Sequence, residues 1–254
     1  MTDNRVPFLG LYFDDLDLPG ALARIEEFIA ERKPRMIFTP NVALLVWARS
    51  DEFLRNTYNN CDMVTVDGMA IYYALKALRT PLKAPLSASL MFYPLFELSQ
   101  EKGYKIFMVG AQERVVATAV DNLHEQYPEA QIVGYHHGYF DTENPPAELI
   151  REIQETKPDL LMIGMATPYK ERFVVSNLAA MNVPVSLAVG GMFDIAAGEA
   201  RFAPIWIRKL ALEWLYRLLQ EPRRMWKRYL TTNSIFLCLF FKEFIKRRIL
   251  FIRD

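Results

Sequence analysis

The sequence predicts an α/β fold: a mainly parallel sheet flanked by helices, followed by a C-terminal helical appendage. Three observations lead there. Short β-rich runs alternate with helical periods between residues 36 and 189, the spacing of βαβ units. The 254-residue length supports one large α/β domain, or a domain with an appendage, and can bury a substantial core. Charge is also unevenly distributed. Lys+Arg and Asp+Glu each number 30, yet residues 205–254 hold twelve basic against four acidic side chains, a net of +8 that leaves −8 for residues 1–204. We therefore divide the chain into a body, 1–204, and a basic amphipathic appendage, 205–254, expected to meet different partners.

The candidate strands, in order, are Met36–Phe38, Met63–Val66, Lys105–Val109, Gln131–Gly134, Asp159–Ile163 and Val185–Val189. Helical periods occupy residues near 18–31, 41–57, 69–77, 88–102, 112–126, 146–156 and 170–181, with apolar positions three and four apart. Right-handed crossovers then gather most loops after strand C-termini on one rim, where ligands bind in such sheets. In the appendage, Trp206–Tyr229 reads as helix divided by Pro222, and Ile235–Phe241 is an apolar run beside Lys242 and Lys246-Arg247-Arg248. Seven apolar residues fall well short of the roughly 20 that span a bilayer. Apolar bulk beside basic clusters fits an interfacial segment, where each cation adds about 1 kcal/mol at an anionic surface. The competing reading is a basic helix packed on the body or on another subunit.

Composition excludes other classes. A charged fraction of 24% with 52% hydrophobic residues excludes a disordered chain. Two cysteines, Cys61 and Cys238, provide no disulfide framework and point to a reducing compartment. The N-terminus has no signal-peptide pattern, and nothing indicates a nucleic-acid partner.

Strand ends carry the candidate chemistry. Thr39-Pro40-Asn41 follows the first strand, and Thr39 and Asn41 suit either helix capping or ligand contact. Val66-Asp67-Gly68 repeats that placement. A strand-end carboxylate backed by Gly68 can approach a substrate as general base, although Asp-Gly is also ordinary turn chemistry. Gly110 ends a strand and opens a helix, an arrangement that lets backbone N–H groups face a phosphate. The segment Gly134–Phe140 contains Tyr135 and adjacent His136 and His137, which read as a ligand-lining loop rather than a metal pair. Gly190-Gly191 permits close backbone approach, and Asp194 can bond a base or sugar hydroxyl. Asp15-Leu16-Asp17 matches the D-x-D of metal-dependent sugar transferases, but before Leu18-Pro19 it reads as a helix cap at Asp17.

Taken together, Thr39-Pro40-Asn41, Val66-Asp67-Gly68, Gly134–Phe140, Gly190–Asp194, Ala203-Pro204-Ile205-Trp206, Leu212–Arg217 and Glu221-Pro222-Arg223-Arg224 occur in family order. From about residue 8 to 230 the chain resembles the WecG/TagA/CpsF glycosyltransferases of bacterial cell-surface polysaccharide assembly. The resemblance implies a Rossmann-like body and a membrane-binding appendage. It implies inverting transfer, without metal or other cofactor, from a UDP-sugar, often of N-acetylmannosamine type, to a polyprenyl-diphosphate-linked sugar. Asp67 becomes the general base, with Thr39 beside it. Asn41, Gly68, Gly110, Tyr135, Gly164, Lys170, Gly190, Gly191 and Asp194 become the donor pocket. Arg217, Arg224, Lys227 and Arg228 become ligands for the lipid diphosphate or the UDP phosphates. The implied location is peripheral, on the cytoplasmic face of the bacterial inner membrane, with an anionic membrane surface as partner and homo-oligomer formation left open.

Two segments depart from the family pattern. Thr167-Pro168-Tyr169-Lys170-Glu171 places Lys170 where glutamine is expected. Ala84 and Ser87-Ala88-Ser89-Leu90 replace an arginine and the G-x-D-L segment after it. These departures supply the rival reading, a catalytically altered nucleotide-sugar-binding partner in an assembly complex.

Overall fold

The computed structural model describes residues 5–80, 82–204, 206–207, 210, 212–220 and 222–249. Six strands form a parallel sheet: β3 (Arg35–Phe38), β4 (Met63–Val64), β5 (Lys105–Gly110), β6 (Gln131–His136), β7 (Leu160–Gly164) and β8 (Val185–Ala188), in the order β4-β3-β8-β7-β5-β6. A separate antiparallel hairpin, β1 (Arg5–Phe8) and β2 (Leu11–Asp14), precedes them. Strand alternation divides the core in two. Phe38, Val64, Phe107, Val109, Leu161, Ile163 and Ala188 point to one cluster. Ile37, Met63, Ile106, Met108, Leu160, Met162, Val185 and Leu187 point to the other.

On the first face pack α2 (Val42–Ser50), α3 (Glu52–Asn60), α4 (Met69–Ala77), α7 (Ala147–Thr156) and α8 (Tyr169–Met181). On the second pack α1 (Leu18–Glu31), α5 (Ala88–Lys102), α6 (Glu113–Gln126) and the short α9 (Met192–Ala196). The β3–β4, β6–β7 and β7–β8 connections cross over the first face and β5–β6, stepping the other way, crosses over the second, as right-handed crossovers require; the long β4–β5 connection carries α4 on the first face and α5 on the second. Strand C-termini therefore share one rim.

The structure corrects several sequence-based expectations. The helix expected over 41–57 is two helices, because Asp51 both ends α2, through its N–H to Trp47 O (2.9 Å), and caps α3, accepting from Leu54 N (3.1 Å). The hairpin was not foreseen. It protects the sheet's edge, since Asp14 Oδ2 accepts the Val64 N–H at 2.7 Å. Strand β4 is shorter than Met63–Val66, although Thr65 N to Phe38 O (3.1 Å) and Asp67 N to Pro40 O (3.2 Å) carry the contact onward. Strand β6 runs two residues beyond Gly134. Asp17 is the α1 cap, accepting from Gly20 N at 3.0 Å, with Pro19 in the first turn.

After the body come α10 (Glu213–Gln220) and α11 (Pro222–Phe244), so Pro222 does start a new helix. The apolar run 235–241 continues α11, whose last turns pass into a π-helical segment, Ile245–Ile249. Arg228, Thr232, Phe236, Phe240 and Phe244 recur every fourth residue, and this stripe faces the body. Phe236 is buried in the first-face core, 6.3 Å from the Phe8 ring edge-on, and Phe240 and Phe244 pack beside it.

Candidate functional site

The site is built at the shared rim. Thr39 is half-buried at the end of β3. Asn41 caps α2, with Oδ1 accepting from Ala43 N (3.1 Å) and Leu44 N (3.3 Å). The bland reading of Asn41 is thus realised, and its oxygen is committed to the helix. Asp67 follows β4 and is tethered to Thr39's loop through the bond from its N–H to Pro40 O. Gly68, the residue before α4, has φ 99°, and a Cβ there would meet nothing within 4 Å. Only glycine takes that backbone without strain, and it leaves open space behind a half-buried carboxylate.

The glycines at the ends of β5 and β7 meet each other. Gly110 pairs with Gly164, and a Cβ on Gly110 would lie 2.4 Å from Gly164 O. The Ala111 N–H donates to Gly164 O at 3.0 Å, so it is spent inside the fold. Gly164 has Phe193 against its own face, 2.5 Å from a built Cβ. Both residues are glycine because two backbones and a ring meet there. Gly190 (φ 58°) faces open space, and Gly191 precedes α9, which contains Asp194. Tyr135 is exposed on edge strand β6. At the end of β6 and just beyond it the His136 and His137 rings lie 4.4 Å apart, with His136 Nδ1 2.8 Å from His137 O. Among the described residues no three His, Cys, Asp or Glu side chains are grouped as metal ligands.

Lys170 is buried at the start of α8. Its ammonium is held by Thr167 Oγ1 and by Glu171 Oε1, 2.6 Å away. Glu171 is fully buried and also accepts from Tyr58 Oη (2.6 Å) and Thr167 Oγ1 (2.9 Å). Burial pushes the Lys170 ammonium below its ordinary pKa, and Arg228 pushes it the same way. Glu171 and, more weakly, Asp67 oppose them. Burial, with Glu171 beside it, holds the Tyr58 phenol protonated far into the alkaline range.

The appendage packs on the same face, along α2. The Arg228 guanidinium lies 5.2 Å from the Trp47 ring centre on α2 and 5.8 Å from that of Tyr229. Lys227 is exposed, its ammonium 5.6 Å from the Trp226 ring. The backbones of Arg217 and Arg224 lie in α10 and α11, while their side chains are outside the described residues. Asp67 and Arg228 thus both act electrostatically on the Lys170 ammonium, and the backbone bond from Asp67 to Pro40 sets Thr39 and Asn41 alongside Asp67. Tyr135 lies on the edge strand β6, but the loop beyond it folds back over the ends of β5 and β7, with the Gly138 N–H donating to Ala111 O at 2.9 Å and Phe140 edge-on to Phe173 of α8. Sequence reasoning missed Tyr58, Glu171 and Trp47. Only the four-residue spacing of Leu54 and Tyr58 on one face of α3 could have hinted at Tyr58.

The model of the glycosyl transferase WecG/TagA/CpsF family matches residues 6–249. Curated relatives include proteins of Staphylococcus aureus strains MW2, NCTC 8325 / PS 47 and MRSA252. Each is named N-acetylglucosaminyldiphosphoundecaprenol N-acetyl-beta-D-mannosaminyltransferase, and each is 27% identical over 247 residues, 96% of this chain and 94% of the relative.

Proposed function

The chain belongs to the glycosyl transferase WecG/TagA/CpsF family, and from that membership we propose that it moves an N-acetylmannosamine-type sugar from a UDP-sugar to a polyprenyl-diphosphate-linked sugar. The observation that carries the reading is the placement of Asp67: a half-buried carboxylate at a strand end, backed by an open glycine and near enough to Lys170 to favour its charge. In this reading Asp67 accepts the proton of an acceptor hydroxyl as that oxygen bonds to the anomeric carbon. The bond from that carbon to the diphosphate breaks, UDP departs with the electron pair, and the centre inverts. Thr39, Asn41, Gly190, Gly191 and Asp194 line the donor side of the rim. Arg217, Arg224, Lys227 and Arg228 bring positive charge to the diphosphates, where electrostatic stabilisation of a leaving group counts most.

The reading places the enzyme on a membrane surface. Opposite the body-facing stripe, α11 exposes Trp226, Leu230, Leu237 and Phe241. No described helix is long and apolar enough to cross a membrane. A helix docked by one face, with aromatic and aliphatic side chains among basic residues on the other, suits the interface between headgroups and acyl chains. Incubation with several UDP-sugars and a short-chain polyprenyl-diphosphate-GlcNAc acceptor tests the transfer. Release of UDP that requires acceptor supports it. UDP-sugar binding without acceptor-dependent release favours instead the altered, non-transferring partner that Lys170 and the 83–90 segment suggest.

A further inference from the structure

Helix α4 has an apolar side and a basic, aromatic one. Ile71, Ala74, Leu75 and, just past its end, Leu78 are buried in the first-face core. Tyr72, Lys76 and Arg79, four and three residues apart, lie on the other side and with Thr80 and Leu82 line a cavity of about 490 Å³. Beside it Tyr73 is 43% exposed, its ring 5.7 Å from that of Tyr72. The helix ends in a Schellman turn, in which the Arg79 N–H donates to Lys76 O and the Thr80 N–H to Leu75 O, both at 3.0 Å. That turn holds Arg79 at φ 57°, a backbone that glycine takes freely and other residues take at a cost of about 1–2 kcal/mol. Arg32 has the same backbone, and its guanidinium is held by Asp159. Among the described residues no carboxylate pairs with Arg79 or Lys76, so both charges are available to an anion from outside.

We propose that this cavity holds the phosphate of an anionic lipid headgroup, a membrane contact made by the body itself and separate from the appendage. The inference rests on the reading of α11 as a membrane-facing helix. The buried face of α4 and the docked stripe of α11 pack into one core cluster, so both helices cover the same face of the sheet. A membrane met by Trp226, Leu230, Leu237 and Phe241 therefore lies on the side of the body that α4 covers. Tyrosines beside lysine and arginine suit the headgroup layer, with the rings at the acyl boundary and the cations on phosphate. Arg79 offers a planar fork and Lys76 a point charge. Together these two full charges outweigh the roughly half negative charge of the helix end itself. The same helix begins two residues after Asp67, and its nine residues rise about 14 Å. A headgroup held at the far end of α4 thus sets the distance between the membrane and the base.

The test is co-sedimentation of the full chain with vesicles of pure phosphatidylglycerol or pure phosphatidylcholine, using the wild type, Lys76→Gln, Arg79→Gly, their double variant and Lys33→Gln. Lys33 is exposed at the opposite rim, just before β3, and controls for a general loss of positive charge. Removing either α4 cation is expected to weaken binding to phosphatidylglycerol about fivefold, the equivalent of about 1 kcal/mol for a cation at an anionic surface. Binding to phosphatidylcholine stays unchanged. The double variant loses less than the product of the two, because both side chains hold one phosphate. Glycine relieves the Arg79 backbone, so Arg79→Gly melts at or above the wild-type temperature and its lost binding does not come from unfolding. Undiminished binding in both single variants, an equal loss in Lys33→Gln, or losses that simply multiply in the double variant overturn the cavity as a phosphate site and leave α11 on the membrane. If the wild type sediments with neither vesicle, the membrane reading of α11 fails, and the α4 contact fails with it.

Discussion

Replacing Lys170 by methionine preserves the side chain's length and removes its charge. Glu171, with no exposed surface, then keeps only Tyr58 and Thr167 as partners for its carboxylate. Breaking a buried pair from one side costs about 3–5 kcal/mol, since a desolvated charge is left uncompensated. For a chain of this size that corresponds to a fall in Tm of about 6–20 °C. Removing both charges with Lys170→Met/Glu171→Leu should recover most of the loss, because the desolvation penalty goes with them. The sign with pH is also set. Burial lowers the folded-state pKa of Lys170 beneath its ordinary 10.5, so the unfolded chain binds that proton more tightly over the interval between the two values. The site's contribution to stability therefore rises with pH across that interval, and the methionine variant lacks that rise. Urea unfolding followed by circular dichroism, repeated across pH, measures all of this. A single-variant loss under about 1 kcal/mol, or a double variant less stable than the single, would refute the buried-pair argument.

Burial raises the pKa of both the Cys61 thiol, above its ordinary 9.0, and the Tyr58 phenol, above its ordinary 10.0. Their contribution is whole below those ordinary values and is lost as pH rises past them, so alkaline melts of Cys61→Ala should show a shallower fall than wild type. Gly110→Ala puts a methyl 2.4 Å from the Gly164 carbonyl, and a loss of about 3 kcal/mol or more is expected in denaturant unfolding. A neutral result would mean that the two backbones are not in such close contact. Phe236→Ala removes the buried anchor of α11, a truncation worth about 3–5 kcal/mol in a core. Hydrogen exchange across 222–244 should accelerate while the sheet stays protected, and unchanged exchange there would show that the helix is held by other means.

The sheet was legible because each strand is a short apolar run between helical periods, and parallel strands buried on both faces need such runs. The hairpin was not, because Pro7 interrupts the first run and the pair is local, packed on the sheet's edge instead of within it. Asp51 hid inside a continuous helical period, since capping leaves the apolar spacing undisturbed. At the site, Asp67 and Thr39 were visible as polar groups at strand ends, where topology alone assigns the rim. The Lys170–Glu171–Tyr58 cluster was not visible, because Tyr58 lies 113 residues from Glu171 and no local pattern links them. The close backbone approach of Gly110 and Gly164 was not legible either, a need that appears only once β5 and β7 are neighbours. The fourfold stripe from Arg228 to Phe244 was readable all along and marks the face of α11 that docks.

Asp67→Asn in the acceptor-dependent UDP-release assay is the most direct test of the central claim. Asparagine keeps the size and polarity of the side chain and removes its ability to take a proton. The account predicts transfer slowed about 10²–10⁴-fold, with UDP affinity and thermal stability close to those of the wild type. Transfer at the wild-type rate would contradict it and remove Asp67 as the base.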